Sequence, residues 1–358
     1  MEQHGWTSGA WPLRGTGPRE GLPPGLVWPA RRGAPEGPTE WQTRNGDHRR
    51  VGGGLWVPSD VEAHVEQRIV EAAARLPAHG GVTGWAGLRW LGARWFDGTG
   101  TATGPRPVVL ALGTRHSLRP SGLLGVSQEL VPAGQLLRSR GVRVTSATWS
   151  VGHEMRKAPS DEAAVVAFEL AAYDDLVSVA ELTDFVDSAL WIRQGVPRVR
   201  ELLPLLEENS WSPTEPVMRL TWQGAGFGRS LANRPVFDLA GRFVGTPDLV
   251  DLGAGVYGMY DGALHLAGAV RQIDVAKDAA YRALGLEGVV MMAGDLVDRG
   301  AFLHRLHAAY ARAERRPAAE RRWLPGVAAW WTPTFTVEQR RMLSAYDRAR
   351  LLRYREAS

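Results

Sequence analysis

Apolar positions recur at helical spacing in the first half of the chain. From Val61 the run VEAHVEQRIVEAAARL sets Val65, Ile69, Ala72, Ala73 and Leu76 on one stripe, which predicts an amphipathic helix. A break from Pro77 to Gly81 separates it from VTGWAGLRWLGARW, a second expected helix with Leu88 and Leu91 facing inward. Two short helices joined by a glycine-containing turn suit a helix-turn-helix or winged-helix unit, although any small helical hairpin has the same pattern. A Gly/Thr/Pro loop at 97–107 precedes the strand-like RPVVLALG and GVRVTSATWSV. Ser160 with Asp161 and Glu162 opens the helix DEAAVVAFELAAYDDL, and Ser178 with Glu181 forms a capping box for VAELTDFVDSALW.

The pattern changes at Ser212. SPTEPVMRLTW reads as a helix, PVFDLAG and RFVGTPDLVD as two strands joined at Ala240-Gly241, and GVYGMYDG as a third strand. LAGAVRQIDVAKDAAYRALG is then a helix, GVVMMAG a short buried strand, and DRGAFLHRLHAAYARA a closing helix. Helix, three strands, helix, strand, helix is the minimal layout of a mixed sheet clasped between helices. The expected class is therefore α/β in the broad sense, more closely α+β, with a mainly helical N-terminal region.

Composition narrows the chemistry. Residues 1–48 are rich in Gly, Pro and Arg without periodicity and read as a flexible leader. The chain has no cysteine, which removes disulfides, thiolate zinc sites and cysteine nucleophiles together. Lys157 and Lys277 are its only lysines, so any mechanism needing an active-site lysine has two candidates. No run approaches the ~18 consecutive apolar residues of a membrane span, and the N-terminus lacks the basic-then-apolar order of a secretory signal. The expectation is a soluble cytoplasmic protein. GTGTATG is not followed by Lys-Ser or Lys-Thr, which argues against a nucleotide-hydrolase phosphate loop.

The net charge of +4 is unevenly spread, because residues 301–358 hold twelve arginines and five acids. With Trp323, Trp330, Trp331, Tyr346 and Tyr354 in the same segment, charge for phosphate and rings for bases suit a nucleic-acid strand. A solvated arginine-rich helix face is the structural alternative.

Three carboxylates fall where they could converge. Asp248 follows Pro247 at the second strand, Asp261 ends the third, and Glu215 lies in the first turn of the preceding helix. Adjacent strand ends and a neighbouring helix can gather oxygen ligands for Mg²⁺, which activates water and neutralises charge on a cleaved phosphodiester. His265 is a candidate general acid or base. Each residue also has a structural reading. Ser212-x-x-Glu215 is a capping box with proline at the first helical position, Asp248 can shape the turn after Pro247, Asp261-Gly262 is a common turn pair, and a lone histidine is often only packed.

SPTEPVMRL, VGTPDLV, MYDGALH and RQIDVAKDAAYRALGLEGVVMM resemble, in order and spacing, the very-short-patch-repair-like branch of the PD-(D/E)XK nuclease superfamily, a domain common in actinobacterial proteins. The resemblance covers roughly residues 210–313 and implies a restriction-endonuclease-like mixed sheet flanked by helices. Less specifically, residues 49–150 resemble the antitoxin-like winged-helix leader of such proteins, with 151–209 as a helical connector and 314–358 as a basic aromatic C-terminal segment. It also implies Mg²⁺ held by Glu215, Asp248 and Asp261, proton transfer by His265, polar partners at Asp274 and Arg282, DNA as the partner, and a toxin–antitoxin-type protein partner. Met259 stands where the family has glutamate in its Glu-x-Asp-Gly motif, and methionine is a poor Mg²⁺ ligand. Two functions follow as expectations: a metal-dependent DNA endonuclease, or a non-catalytic DNA-binding protein of antitoxin-like or regulatory type.

Overall fold

The computed structural model describes residues 21–100, 104–114, 116–190, 193–228, 230–262 and 269–356. The chain divides into two compact units, Met1–Ser150 and Val151–Ser358. Helices and several sheets make it a mixed α and β protein of the α+β kind. Among the described residues, no helix is long and apolar enough to cross a membrane.

In the first unit, β1 (Ala30–Arg31), β2 (His48–Gly52) and β3 (Leu55–Pro58) pair antiparallel in the order β1-β3-β2, with α1 (Glu40–Arg44) between β1 and β2. Residues 30–48, expected to belong to a flexible leader, are thus structured. Periodicity missed them because β1 is a two-residue strand and α1 is fixed by its capping box, Thr39 with Gln42, rather than by an apolar stripe. After α2 (Val65–Ala73) come β4 (Gly81–Thr83), α3 (Gly84–Leu91), β5 (Val108–Ala111), β6 (Leu124–Ser127), β7 (Leu136–Ser139) and β8 (Val142–Thr145). The strands form one mixed sheet in the order β6-β5-β4-β8-β7. The two expected helices therefore flank the central strand of a sheet instead of meeting at a plain turn. Three residues of β4 are too few to show alternation, so their apolar character read as the start of α3.

The chain crosses into the second unit along α4 (Ala147–Lys157), which begins within the expected strand GVRVTSATWSV. The connector forms α5 (Asp161–Tyr173), α6 (Val179–Ser188) and α7 (Val196–Leu202). Ser160 Oγ accepts from Ala163 N–H, and the Ser178–Glu181 capping box is present. Then come α8 (Thr214–Gly224), β9 (Leu231–Ala232), β10 (Val236–Phe237), β11 (Phe243–Gly245), β12 (Leu249–Asp251), β13 (Val256–Asp261), α9 (Ala269–Ala283), β14 (Glu287–Met292), α10 (Gly300–Arg315), α11 (Val337–Arg341) and α12 (Ala345–Leu351).

The four-stranded sheet of this unit runs β14-β13-β12-β9. β12 is antiparallel to β9 and β13, whereas β13 and β14 are parallel, the pairing that a helical crossover such as α9 allows. The expected strands PVFDLAG and RFVGTPDLVD are joined at Ala240-Gly241, but the second is two strands: β11 pairs with β10 as a separate hairpin and only β12 enters the four-stranded sheet. One face of the sheet buries Met218 and Trp222 of α8 and Phe302, Leu306 and Ala309 of α10 against Leu249, Val256, Val289 and Met291. On the other, Val236, Val250, Tyr257, Tyr281, Leu286 and Trp323 form a second cluster, with Met259 packed against it. The alternation along β13 follows from the two-residue period of a strand. Gly258 lets α8 approach closely, since a Cβ there would stand 2.8 Å from the Trp222 ring.

Many arginines of the basic C-terminal segment are paired within the unit. Arg340, 1 % exposed at its side chain, donates to Asp175 (2.6 Å), as do Arg348 (2.7 Å) and Arg355 (2.9 Å). Arg341 pairs with Glu181, and Arg312 and Arg316 both pair with Glu287. These arginines clamp the tail to the unit's own acids, so the expectation of a strand-gripping tail does not extend to them.

Candidate functional site

The corner where β12 begins and β13 ends is set by backbone constraints. Asn233, just past β9, adopts the left-handed conformation (φ 48°), which asparagine tolerates better than most residues. Its backbone N–H donates to the Asp248 carbonyl (2.9 Å), and its side chain donates to the Asn209 carbonyl (2.8 Å) and to Glu215. Asn209 returns the contact through Nδ2 to the carbonyls of Ala232 (2.9 Å) and Asn233 (3.1 Å). This reciprocal asparagine pair holds the start of α8 beside the strands.

Glu215 is buried in the first turn of α8. Its Oε2 accepts the Trp211 N–H (2.7 Å) and the Asn233 amide. Its hydrogen bonds tie down the chain ahead of α8 with Trp211 as the backbone donor, but the expected Ser212–Glu215 capping box does not form, and Pro213 stands at the N-cap rather than at the first helical position. Burial, followed by the negative charge of Asp248, pushes its carboxyl up to about 8. Two carboxylates that repel in a low-dielectric corner favour the protonated form of one.

Asp248 is half-buried, and its Oδ2 accepts the Tyr260 N–H (2.6 Å). The register Leu249↔Gly258 and Val250↔Tyr257, carried one step further, sets Asp248 opposite Met259. Asp248 is also felt by the ring of α9. The Tyr281 hydroxyl is buried without a hydrogen-bond partner, and burial first, then the Asp248 charge, raise its phenol above the usual range.

The sequence-expected residues therefore separate. Glu215 and Asp248 come together. Asp261 lies at the exposed end of β13, paired in register with Met292 of β14. Arg282 is exposed and donates to Asp278 (2.8 Å), whose other oxygen accepts the Tyr257 hydroxyl. His265 and the Asp274 side chain lie outside the described residues. Sequence reasoning missed Asn209, Asn233 and Tyr281. Only Asn233 carried a signal, as an asparagine before Arg-Pro at a strand end, and the partnership with Asn209 is a tertiary fact.

Mg²⁺ requires near-octahedral oxygen coordination. This corner offers two carboxylates, each already accepting a backbone N–H, and at the facing position the thioether of Met259, which packs among apolar side chains. Among the described residues, no group of three or more His, Cys, Asp or Glu side chains is placed to hold a metal ion. The expected three-carboxylate cage does not fit the residues present. No family model, no curated protein and no solved structure matches the chain.

Proposed function

We propose that this protein associates with DNA through a restriction-endonuclease-like domain, residues 210–313, that no longer cuts with Mg²⁺. The fold reading is supported by the order α8, β9, β12, β13, α9, β14, by the antiparallel run closed by a parallel pair, and by Pro247-Asp248 lying just ahead of β12 with Met259-Tyr260-Asp261 on the neighbouring β13. The observation that carries the functional choice is Met259. It faces Asp248 across the sheet, where a metal-binding pair needs a second acid, and it packs into the apolar cluster of Tyr257 and Tyr281. Glu215 and Asp248 remain as a carboxylate pair whose hydrogen bonds fasten the helix start and the strand end.

The antitoxin-like, winged-helix reading of residues 49–150 belongs to the same proposal. It draws on the α2 and α3 pair, between which β4 lies.

The test is duplex binding by fluorescence anisotropy with strand integrity read on a denaturing gel. The expected result is binding that falls steeply with salt, is indifferent to chelator, survives Asp248→Ala and leaves the DNA intact. Mg²⁺- or Mn²⁺-dependent cleavage that Asp248→Ala abolishes overturns the non-cutting reading. Absence of binding at low salt overturns the DNA reading.

A further inference from the structure

The β10–β11 hairpin carries a cluster of rings that the sheet core does not use. Phe237 is fully buried at its base, whereas Phe243 is 46 % and Trp330 62 % exposed. Phe243 stacks on Trp331 (ring centroids 5.3 Å apart, planes 23° apart), and Phe237 meets Trp330 and Trp331 edge-on at 5.7 and 5.3 Å. Trp330 Nε1 donates to the Gly241 carbonyl (2.9 Å), pinning the indole to the hairpin turn. The turn itself is fixed. Asp238 Oδ1 accepts the N–H groups of Ala240 and Arg242, both at 2.9 Å, and Gly241 has φ 76°.

Exposed large rings held in one geometry lose little freedom when a flat partner lands on them, which is what a stacking platform requires. The surrounding charge selects that partner. Residues 234–243 and 321–331, which meet where Asp238 bridges Trp323 and Leu324 N–H donates to the Phe237 carbonyl, contain Arg234, Arg242, Arg321 and Arg322 against the single acid Asp238. The Arg242 side chain is 83 % exposed although it pairs with Asp238.

We propose that Phe243, Trp330 and Trp331 form a shelf for unpaired nucleic-acid bases, with Arg242, Arg321 and Arg322 set to meet the flanking phosphates. This inference rests on the DNA-association reading and adds to it the substrate class, single-stranded or gapped DNA. In a continuous duplex the base faces are occupied by their neighbours, so only an unpaired base can lie on the rings. The shelf adjoins the degenerate corner. Val244, between Phe243 and Gly245, packs against the same apolar cluster as Met259.

Labelled oligonucleotides of one sequence, as continuous duplex, as duplex with a single-stranded gap and as single strand, test the proposal by anisotropy. The wild type binds the gapped and single-stranded forms about tenfold more tightly than the duplex, within the range of stacking a base on a ring. The double variant Phe243→Leu, Trp330→Leu loses that preference but keeps duplex affinity, and the conservative Trp330→Phe keeps most of it. Melting of each variant beside the wild type separates loss of the shelf from loss of fold. Equal wild-type affinity for gapped and continuous DNA, or an undiminished preference in a folded double variant, overturns the shelf and leaves the DNA reading standing. No binding to any oligonucleotide overturns both. A wild-type dimer that the double variant dissolves without changing any DNA affinity identifies the rings as a protein interface and also overturns the shelf.

Discussion

Asp175 and Glu215 are both buried carboxylates next to helix ends of the same unit, yet arginines surround the first while another carboxylate faces the second. Asp175 accepts from Arg340, Arg348 and Arg355. Burial alone pushes its carboxyl up, but the hydrogen bond from Arg355 and the charges of Arg340 and Arg355 outweigh it and hold the group at about 2. Glu215 is more completely buried, no arginine charge offsets that burial, the Asp248 charge adds to it, and the carboxyl rises to about 8. Burial raises both acids and is the larger cause at Glu215; the neighbouring charge reverses it at Asp175 and adds to it at Glu215. The Asp175 site is a finished ion-pair clamp. The Glu215 corner has the carboxylates of a cation site without a full set of ligands.

Breaking the clamp has the largest expected effect. Asp175→Ala leaves three guanidinium groups facing one another and is expected to cost about 3–5 kcal/mol in chemical denaturation, as removal of one partner from a buried ion pair does. A loss below about 1 kcal/mol would show that the arginines find solvent or other acceptors and that the clamp is not structural.

The two acids also predict opposite dependences on pH. Glu215 is raised in the folded state, so its contribution is fully present below its ordinary value of 4.5 and is lost as pH rises through about 8. Asp175 is depressed, so its contribution is present above 3.8 and is lost as pH falls through about 2. Glu215→Gln keeps an oxygen for Trp211 and Asn233 but removes the charge. It should gain on the order of 1–2 kcal/mol over the wild type at alkaline pH and little at pH 4.5. Parallel stability curves for the two proteins between pH 4.5 and 8 would contradict the upward shift of the Glu215 carboxyl.

Converting the corner into a cation site sharpens the contrast further. Met259→Glu adds a third carboxylate beside Glu215 and Asp248 and should melt about 2–4 °C lower in chelator, the shift expected for roughly 1 kcal/mol in a unit of this size. Mg²⁺ or Mn²⁺ should restore that loss in the variant and leave the wild type unmoved. The smallest effect belongs to Arg348→Ala, whose side chain is 41 % exposed; it should cost less than about 1 kcal/mol in the same denaturation assay.

Local signals carried much of this architecture. The Ser160 and Ser178 caps, the apolar stripe of α2 and the long apolar run of β13 are written within a few residues of where they act. Glu215 and Asp248 were legible as two of three converging carboxylates, from a helix start and a Pro-Asp at a strand; that only these two meet was not. The turn at Ala240-Gly241 joining two strands was legible too, but the hairpin's separation from the four-stranded sheet was not, since RFVGTPDLVD reads as one strand and only tertiary pairing divides it into β11 and β12. The fate of the arginine-rich tail was equally hidden. Asp175 lies 165, 173 and 180 residues from Arg340, Arg348 and Arg355, and no spacing in the sequence points across that distance. Asp261 shares the strand period of Met259, but β13 ends there at an exposed position, outside the buried corner that alternation suggested.

The most direct test measures a labelled duplex and its strands in the same tube, with wild-type protein at low salt, first in chelator and then in Mg²⁺. Equal affinity in both conditions with intact strands is the predicted result. Strand cleavage that appears with Mg²⁺ and disappears in Asp248→Ala, or no binding in either condition, would contradict it.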